Sequence, residues 1–373
     1  MPCLHVFTGH RMLFPMKFKN SVPLVAVLFS FGCGQGTTTK DQGIKESLKV
    51  TFEKDEVEKK VNVKVDGKLF TSYWWPDSVY KPILYPILTA EGTPVTRGFP
   101  IKARPGERQD HRHQVGNWFN YGNVNGYDFW GNGSTGKKDE VNGGQIKHVS
   151  IGALKDGDGE ASMETNASWV DPRGKELLSE HTVFHFIAED SVRIIDRIAT
   201  WTATNGDVRF KDTKEGSFGI RVARQLELPS KEDVTLTDAH GNPTTVTTMS
   251  NDGITGNYRS SEGVIGEAVW GTRAKWMDLY GSIGDEKISL VIVDHPKNLS
   301  YPTYWHARDY GLFAANPFGV KDFTNGAEEL NYTLAAGESL TMRYRIIVSD
   351  GTLLTDDQIN AYADNFASRY PPQ

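Results

Sequence analysis

Hydrophobic and polar residues alternate along most of the chain, and the period of two that they follow is the period of β-strands. Val61, Val63 and Val65 form one such run, and the Asp66-Gly67 dipeptide that follows is typical of hairpin turns. Further β-rich runs lie at 146–154, 160–170, 179–188, 191–204, 217–226, 264–276, 287–294 and 339–348. The pattern therefore predicts a chain built mainly from strands that are joined by turns.

One segment near the C-terminus has the pattern of a helix instead. Thr355 can cap its first turn, and Ile359, Tyr362 and Phe366 follow at helical spacing. Strands without intervening helices favour antiparallel sheets, and no linker rich in proline, glycine or serine divides residues 44–373. The predicted fold class is all-β, a single large antiparallel β-sandwich over 44–373 with one C-terminal helix.

The composition agrees with a folded protein that buries a large core. Of the 373 residues, 38% are hydrophobic and 24% are charged, which argues against a disordered, collagen-like or polytopic membrane protein. The formal net charge is −6 and no long basic run occurs, so nucleic acid is not expected as a partner.

The N-terminal region has the layout of a secretory signal. A short basic region follows Met16, an apolar segment follows at 21–32, and Cys33 comes next. The apolar segment is too short to cross a bilayer, which needs about 20 residues. The residues before Cys33 resemble a bacterial lipobox, which predicts a lipid on Cys33, a leader at 1–33 and a flexible tether at 34–43.

This arrangement predicts a protein of the cell envelope, lipid-anchored or else periplasmic or secreted, that meets the membrane only through its N-terminal lipid. An ordinary signal peptide cut near Cys33 is the alternative. Residues 1–15 fit neither part of a signal, so translation could start at Met16. No cysteine follows Cys33, which excludes a disulfide framework, a thiolate nucleophile and cysteine-ligated metals from the predicted domain.

The first segment with candidate chemistry is DHRHQ at 110–114. If this segment is a strand, His111 and His113 point to the same face, where they could exchange protons or ligate one metal ion. Side chains suited to stacking on a sugar or to bonding its hydroxyls follow it: Trp118, Asn125, Asp128 and Trp130. The alternative is that the histidines cap a turn and the aromatic residues belong to the core.

Charged residues mark a second candidate segment at 212–223. Glu215 could act as an acid or base, and Lys214 and Arg221 could lower its pKa or bind an anionic group. The alternative is a salt-bridged surface turn.

A third candidate segment combines residue types that few structural roles require together. It supplies His306 and Asp309 as acid–base groups and the substrate-binding candidates Tyr304, Trp305, Arg308 and Tyr310. The sequence requires no cofactor, although His111, His113 and His306 could together hold a divalent metal ion.

Five stretches of the chain resemble the PmoA-like family of bacterial secreted proteins, a family without an assigned function. They are DHRHQVGNWF (110–119), NVNGYDFW (123–130), DTKEGSFGIRVA (212–223), PTYWHARDYGLFAANPFG (302–319, with Tyr301 in place of the family's histidine) and GESLTMRYRIIVSDG (337–351). The resemblance covers about residues 60–351. It implies a fold like the galactose-mutarotase supersandwich and a setting of carbohydrate degradation, and the absence of a spanning helix after the leader argues against a methane monooxygenase subunit.

The leading hypothesis is a carbohydrate-active enzyme that uses acid–base chemistry, with or without a metal, on a glycoside or keto-sugar. A lyase, a hydrolase and an epimerase all fit, with a carbohydrate or keto-sugar as the partner. The first alternative is a glycan-binding lipoprotein without catalysis. A copper or iron oxygenase is a further alternative, although the sequence suggests no electron-transfer partner.

Overall fold

The computed structural model describes residues 47–131, 142–230, 232–245 and 250–370. The predicted leader (1–33), the lipidation site at Cys33 and the tether (34–43) lie outside the described residues, and they stay predictions, as does the single domain at 44–373. No helix in the described ranges has both the length and the apolar character that crossing a membrane requires.

Strands dominate the described chain, as the alternating pattern predicted. In chain order they are β1 (Lys49–Asp55), β2 (Lys60–Val65), β3 (Lys68–Trp74), β4 (Ile83–Ile87), β5 (Asn117–Tyr121), β6 (Gln145–Lys155), β7 (Gly157–Asp158), β8 (Glu160–Val170), β9 (Glu176–Ala188), β10 (Val192–Ala203), β11 (Val208–Phe210), β12 (Gly216–Arg221), β13 (Thr235–Thr237), β14 (Pro243–Thr245), β15 (Asn257–Ser260), β16 (Trp276–Ile283), β17 (Glu286–Asp294), β18 (Tyr304–Ala307), β19 (Leu312–Asn316), β20 (Tyr332–Leu334) and β21 (Ser339–Asp350). The helices are α1 (Val320–Phe323), α2 (Asp356–Arg369) and two short 3₁₀ helices, Arg224–Leu226 and Gly266–Val269.

Most of these strands belong to two large antiparallel sheets. Within the described residues, one sheet has nine strands in the order β18-β19-β12-β5-β4-β3-β2-β1-β7, and the other has eight in the order β15-β16-β17-β21-β10-β9-β8-β6. The main hydrophobic core lies between them, because residues such as Val63 and Phe119 from the first sheet and Phe184 and Ile346 from the second belong to one buried cluster. The all-β, antiparallel fold class is therefore confirmed.

The C-terminal helix is confirmed as well. Thr355 caps α2, its hydroxyl accepts a hydrogen bond from the backbone N–H of Gln358, and the Gln358 side chain bonds back to the Thr355 N–H. Ile359 and Phe366 are buried in a second cluster, on the face of the eight-stranded sheet that is turned away from the main core. The helix therefore covers that face of the sheet.

One predicted strand is wrong. The run at 264–276 contains the 3₁₀ helix Gly266–Val269, and only its last residue, Trp276, belongs to a strand. Gly263, Gly266 and Gly271 each have a positive φ (76°, 67° and 71°), a conformation that glycine adopts easily and that breaks a strand. The sequence was rich enough in apolar residues to suggest a strand, but these glycines turn the chain.

Candidate functional site

The candidate site lies on the face of the nine-stranded sheet that is turned away from the main core. Successive side chains of a strand point to opposite faces, so Phe119 and Trp305 enter the core between the sheets. Their neighbours Trp118 and His306 occupy the other face, where Trp118 belongs to a small apolar cluster and His306 lines a cleft.

The cleft has a volume of about 1020 Å³. Residues from all three predicted segments line it: His111, His113, Asp128, Trp130, Lys214, Glu215, His306, Arg308, Asp309 and Tyr310. Sequence analysis missed five further side chains in the wall: Arg108, Asp110, Glu232, Glu267 and Trp270. Segments that are far apart in sequence therefore meet in one concave site.

His111 and His113 lie on a turn, so the prediction that a strand aligns them is wrong. The backbone N–H of Gln114 donates to the carbonyl oxygen of His111 at 2.9 Å, and His111 has a φ of 42°. This left-handed conformation is uncommon for residues other than glycine and often occurs where a site positions a side chain. The two imidazole rings nevertheless lie close together, with centroids 5.8 Å apart.

Two buried arginines hold the turn in place. Nη2 of Arg97 donates to the carbonyl oxygens of His111 and Gln114, each at 3.0 Å. Oδ1 of Asp110 accepts hydrogen bonds from Nη1 of Arg97 at 2.7 Å and from Nη2 of Arg221 at 2.6 Å. The position of His111 is therefore set by groups below the cleft.

Asp110 in turn orients His111. Oδ2 of Asp110 lies 3.3 Å from Nδ1 of His111, and the His111 ring stacks on Tyr310 with centroids 4.9 Å apart. Burial alone would raise the pKa of Asp110, but Arg221, His111 and Arg97 together hold it well below its usual range. Asp110 is thus a fixed anion, and it can stabilise a proton that His111 accepts.

His113 lies deeper and is neutral. Burial, with the positive charge of Lys81 beside it, lowers the pKa of His113 to about 2. Both ring nitrogens are buried and bond to no group among the described residues. Nζ of Lys81 donates to the carbonyl oxygen of His113 at 2.8 Å, so the backbone here is held from below. A buried polar group without a partner costs free energy, so the ring of His113 contributes no stabilising hydrogen bond within the described residues.

His306 faces the cleft from β18 in a defined tautomer. Its Nδ1 lies 2.7 Å from the carbonyl oxygen of Lys214, so Nδ1 carries the proton and Nε2 carries the lone pair of the neutral ring. Burial lowers the pKa of His306 to about 3, although the bond to Lys214 opposes this shift. His306 can therefore accept a hydrogen bond from a hydroxyl group.

The pKa of the Glu215 carboxyl group is raised, whereas the pKa values of His113 and His306 are lowered. The backbone of Glu215 is fixed, because the N–H of Gly122 donates to the Glu215 carbonyl oxygen at 2.7 Å. Its carboxyl group forms no hydrogen bond with the described residues, and burial raises its pKa, although Lys214 and His111 oppose this shift. A carboxyl group of raised pKa that is left unbonded in a cleft suits the role of a general acid.

The remaining charged groups from the third segment are held by aromatic rings or the backbone. The Arg308 guanidinium lies 5.7 Å from the Tyr310 ring and 6.0 Å from the Trp270 ring, and no carboxylate of the described residues pairs with it. The carbonyl oxygen of Asp309 accepts from the N–H of Leu228 at 2.9 Å, which fixes the loop that carries it.

Contacts between neighbouring side chains form a closed ring around the cleft. Each member contacts the next at 4.9 to 6.4 Å between ring centroids, or between centroid and guanidinium, in the order Trp130, His113, His111, Tyr310, Arg308, Trp270, Phe323, His306 and back to Trp130. All members except Phe323 line the cleft. The wall therefore combines flat apolar surfaces with polar edges, as sugar recognition requires.

Three predicted binding residues are buried away from the cleft. Trp118 is fully buried beneath Trp130, with ring centroids 5.4 Å apart. Trp305 points into the main core, and its indole N–H donates to the carbonyl oxygen of Ala274 at 3.0 Å. Arg221 is also fully buried, and it contacts the site from below through Asp110, Gln114 and the ring of Tyr310, whose centroid lies 4.9 Å from its guanidinium.

Two other predicted binding residues lie outside the cleft: Asn125 is elsewhere on the surface, and Tyr304 is under helix α1. Asn125 is at the exposed tip of a turn, where its side-chain oxygen accepts from the N–H of Arg209 at 2.8 Å. Tyr304 stacks on Phe323 of α1 with centroids 5.3 Å apart, and the Arg273 guanidinium covers its ring. None of these five residues lines the cleft, and their predicted contact with a substrate stays a prediction.

The metal prediction gains no support from this geometry. Across residues 47–131, 142–230, 232–245 and 250–370, no group of three or more His, Cys, Asp or Glu side chains is arranged to hold a metal ion. His111 bonds towards Asp110 and His306 towards a carbonyl oxygen through Nδ1, which leaves Nε2 of each ring available to a proton or a ligand. The metal site at these histidines therefore stays a prediction.

Residues 60–364 match the family of unknown function DUF6807, and the chain belongs to this family. The match covers the region in which the PmoA-like motifs were recognised, but it does not carry the PmoA-like name, which stays a prediction. No curated protein matches the chain.

Several solved structures are similar to the chain at low identity. The galactosidase domain of an α-galactosidase–sucrose kinase is 11% identical with a TM-score of 0.36, and the match covers 80% of this chain and 41% of that one. A proposed aldose 1-epimerase from Escherichia coli K12 is 11% identical (TM-score 0.32, covering 82% and 100%), and a galactose mutarotase related enzyme from Lactobacillus acidophilus is 9% identical (TM-score 0.25, covering 81% and 97%). The chain thus spans less than half of the galactosidase domain it matches.

Proposed function

We propose that the protein is a carbohydrate-active enzyme that moves protons on a glycoside or keto-sugar, of the lyase or epimerase type. The observation that carries this proposal is the oriented Asp110–His111 pair, which lines the same aromatic-walled cleft as the unbonded carboxyl group of Glu215. A base fixed by a carboxylate and a separate acid are the two groups that such chemistry needs.

His111 would act as the base. With Nδ1 turned to Asp110, the lone pair on Nε2 is available to take a proton from a sugar carbon next to a carbonyl group. The charge of Asp110 stabilises the imidazolium that forms, in the way that a buried aspartate stabilises the histidine of a catalytic triad.

Glu215 would act as the acid. In an elimination, the electron pair of the broken C–H bond forms a C=C bond, the glycosidic C–O bond breaks, and Glu215 donates its proton to the departing oxygen. In an epimerisation, the proton instead returns to the opposite face of the same carbon. Both routes need no group beyond the base and the acid, whereas hydrolysis also needs a positioned water.

Other groups around the cleft would stabilise the intermediate and bind the sugar. Arg308 has no ion-pair partner among the described residues, so its charge is available to the oxyanion that forms when the carbon loses its proton. Neutral His306 can accept a hydrogen bond from a sugar hydroxyl, since its Nε2 has no partner among the described residues.

The test is turnover of a panel of glycosides and their keto forms by the purified protein and by His111→Gln and Glu215→Gln variants. We expect each substitution to lower kcat by about 10²–10⁴-fold, because each removes one proton-transfer group. Circular dichroism checks that the variants fold. Turnover that survives both substitutions would contradict these roles.

A glycan-binding protein without catalysis is the second candidate, and the flat rings of Trp130, Trp270 and Tyr310 favour it. Binding by stacking would tolerate loss of the proton-transfer groups. Sugar affinity that persists in the His111→Gln variant, with no substrate turned over by the native protein, would therefore support binding over catalysis.

The location is a separate proposal. We propose that the mature protein is held at the cell envelope by a lipid on Cys33, on the basis of the leader-like sequence alone. Incorporation of labelled palmitate that is lost in a Cys33→Ala variant is the expected result, and release of an unlabelled native protein would show an ordinary signal peptide instead.

A further inference from the structure

The geometry points to a second sugar-binding position at Trp270, so that the cleft takes a substrate of at least two sugar units rather than a single sugar. This inference rests on the proposed function, because it assumes that the reacting unit lies beside Glu215 and His111. It adds the length of the substrate, which the acid–base groups do not determine.

The position of Trp270 in the ring of contacts separates it from Trp130. On one side His306 and Phe323 lie between the two tryptophans, and on the other side His113, His111, Tyr310 and Arg308 do. His306 stacks against Trp130, whereas the ring contacts of Trp270 among the described residues are with Phe323 and Arg308 and not with His111. The two indoles therefore occupy different parts of the cleft wall, and in this proposal the reacting sugar lies beside His111 and Glu215 and a second sugar against Trp270.

Trp270 also has a polar group that lacks a partner. Its Nε1 is buried and donates to no acceptor in the described part of the chain. Because Nε1 is buried, a sugar hydroxyl would reach it only if the side chain shifts, whereas the Arg308 guanidinium beside the ring offers donors directly. A flat apolar face with donors at its edge matches the faces and hydroxyls of a pyranose.

The size of the cleft agrees with more than one sugar. Its volume of about 1020 Å³ is at the upper end of the range for small-molecule sites, about 300–1,000 Å³. Glu267 comes from the 3₁₀ helix that precedes Trp270 and lines the same end of the wall. Polar side chains therefore line the cleft beyond the position that is proposed for the reaction.

The experiment compares Trp270→Ala and Trp270→Phe with the native protein on methyl glycosides of single sugars (methyl glucoside and methyl galactoside), on disaccharides (maltose, cellobiose and lactose) and on the keto forms of both. We expect Trp270→Ala to lower kcat/KM for disaccharides by about tenfold, which equals about 1.4 kcal/mol. The activity on the methyl glycosides should stay within about twofold, and Trp270→Phe should recover part of the loss because it restores a flat ring.

Tyr80→Ala is the matched control, since Tyr80 is an aromatic residue on the surface outside the cleft. An equal loss on both substrate lengths, or no loss on either, would overturn the second position. Failure of the proposed function gives a different result, because the native protein would then turn over no member of the panel. In that case, disaccharide affinity that is unchanged by Trp270→Ala would overturn the second position as well.

Discussion

Two clusters of buried charge, one on each large sheet, differ in how completely their polar atoms are bonded. Beneath helix α2, Arg345 donates to both oxygens of Asp196 at 2.6 and 2.8 Å, and its third nitrogen donates to the Tyr362 carbonyl oxygen at 2.9 Å. Tyr370 completes this helix-side cluster with a hydroxyl bond to Asp196 at 2.9 Å. Every nitrogen of the guanidinium therefore has a partner.

The cleft-side cluster, made by Asp110, Arg97, Arg221 and the two histidines of the turn, is left incomplete. The Nε atoms of Arg97 and Arg221 and both ring nitrogens of His113 are buried without partners among the described residues. Bonded charges stabilise a fold, whereas unpaired polar groups cost free energy unless something else binds them. The difference separates a fully bonded cluster from one whose polar atoms are partly unpaired beneath the cleft.

The largest effect that we expect is on enzymatic activity, and it tests the cleft side of this comparison. Glu215→Gln should lower turnover of sugar substrates by about 10²–10⁴-fold, because the amide cannot donate a proton as the acid does. The melting temperature should change little, since the carboxyl group forms no hydrogen bond. Glu338→Gln, at an exposed carboxylate that does not line the cleft, should leave both quantities unchanged. A variant that is inactive because it unfolds would show Glu215 to be structural.

The next effect is on stability. Arg345→Met should lower the free energy of unfolding by about 3–5 kcal/mol, because it leaves Asp196 buried without its ion-pair partner. Urea denaturation measures this change, and activity below the melting temperature should persist. The double variant Arg345→Met with Asp196→Leu should recover much of the loss. If Arg345→Met alone were as stable as the native protein, the bonding of buried charge would not distinguish the two clusters.

A smaller effect is the dependence of stability on pH. Burial lowers the pKa of His306 to about 3, and it lowers the pKa of His295, which packs against helix α2, to about 4. The unfolded chain binds these protons near pH 6.5, so the stability contribution is complete above that pH and is lost as the pH falls towards 3. Each ring should contribute a slope of about 1.4 kcal/mol per pH unit over this window.

His306→Gln and His295→Gln should each make the fall in stability less steep when unfolding is followed from pH 7 to pH 4. A sugar bound in the cleft should make the native protein more resistant to unfolding by acid. This protection should come from the cleft-side residues only. An unchanged slope in both variants would mean that neither ring is neutral in the folded state.

The smallest effect concerns an ion pair on the surface. Arg173 is 80% exposed and pairs with Asp171 at 3.3 Å, so solvent screens the pair and Arg173→Met should lower the free energy of unfolding in urea denaturation much less than Arg345→Met does. This substitution removes an exposed arginine from an ion pair, whereas Arg345→Met removes a buried one. A cost as large as that of the buried arginine would show that burial does not explain the difference.

The sequence was informative wherever alternation or residue chemistry decides the outcome by itself. The long strands and the capped helix α2 were predicted because a period of two and a threonine cap are local signals. His111, His113, Glu215 and His306 were predicted because their side chains suit few structural roles in such numbers.

The errors arose where the position in the fold decides the outcome. Trp118 and Trp305 belong to the same aromatic segments as the cleft residues, but Trp118 lies beneath Trp130 and Trp305 points to the other face of the sheet. Trp270 was missed because its segment was interpreted as a strand. Strand pairing is not visible in a sequence, so the glycines around Trp270 were the local signal that the chain turns there.

The assembly of the cleft from distant segments has a consequence for how the protein folds. The segments that meet there extend from Arg108 to Tyr310, more than half of the chain, and they are joined by the pairing of β12 with β5 and β19. Contacts of such high sequence separation form slowly, because the entropy of closing the intervening chain is lost first. Recovery of sugar binding during refolding should therefore follow the return of β-structure, and a chain cut within this region would regain the site only when its two pieces associate again.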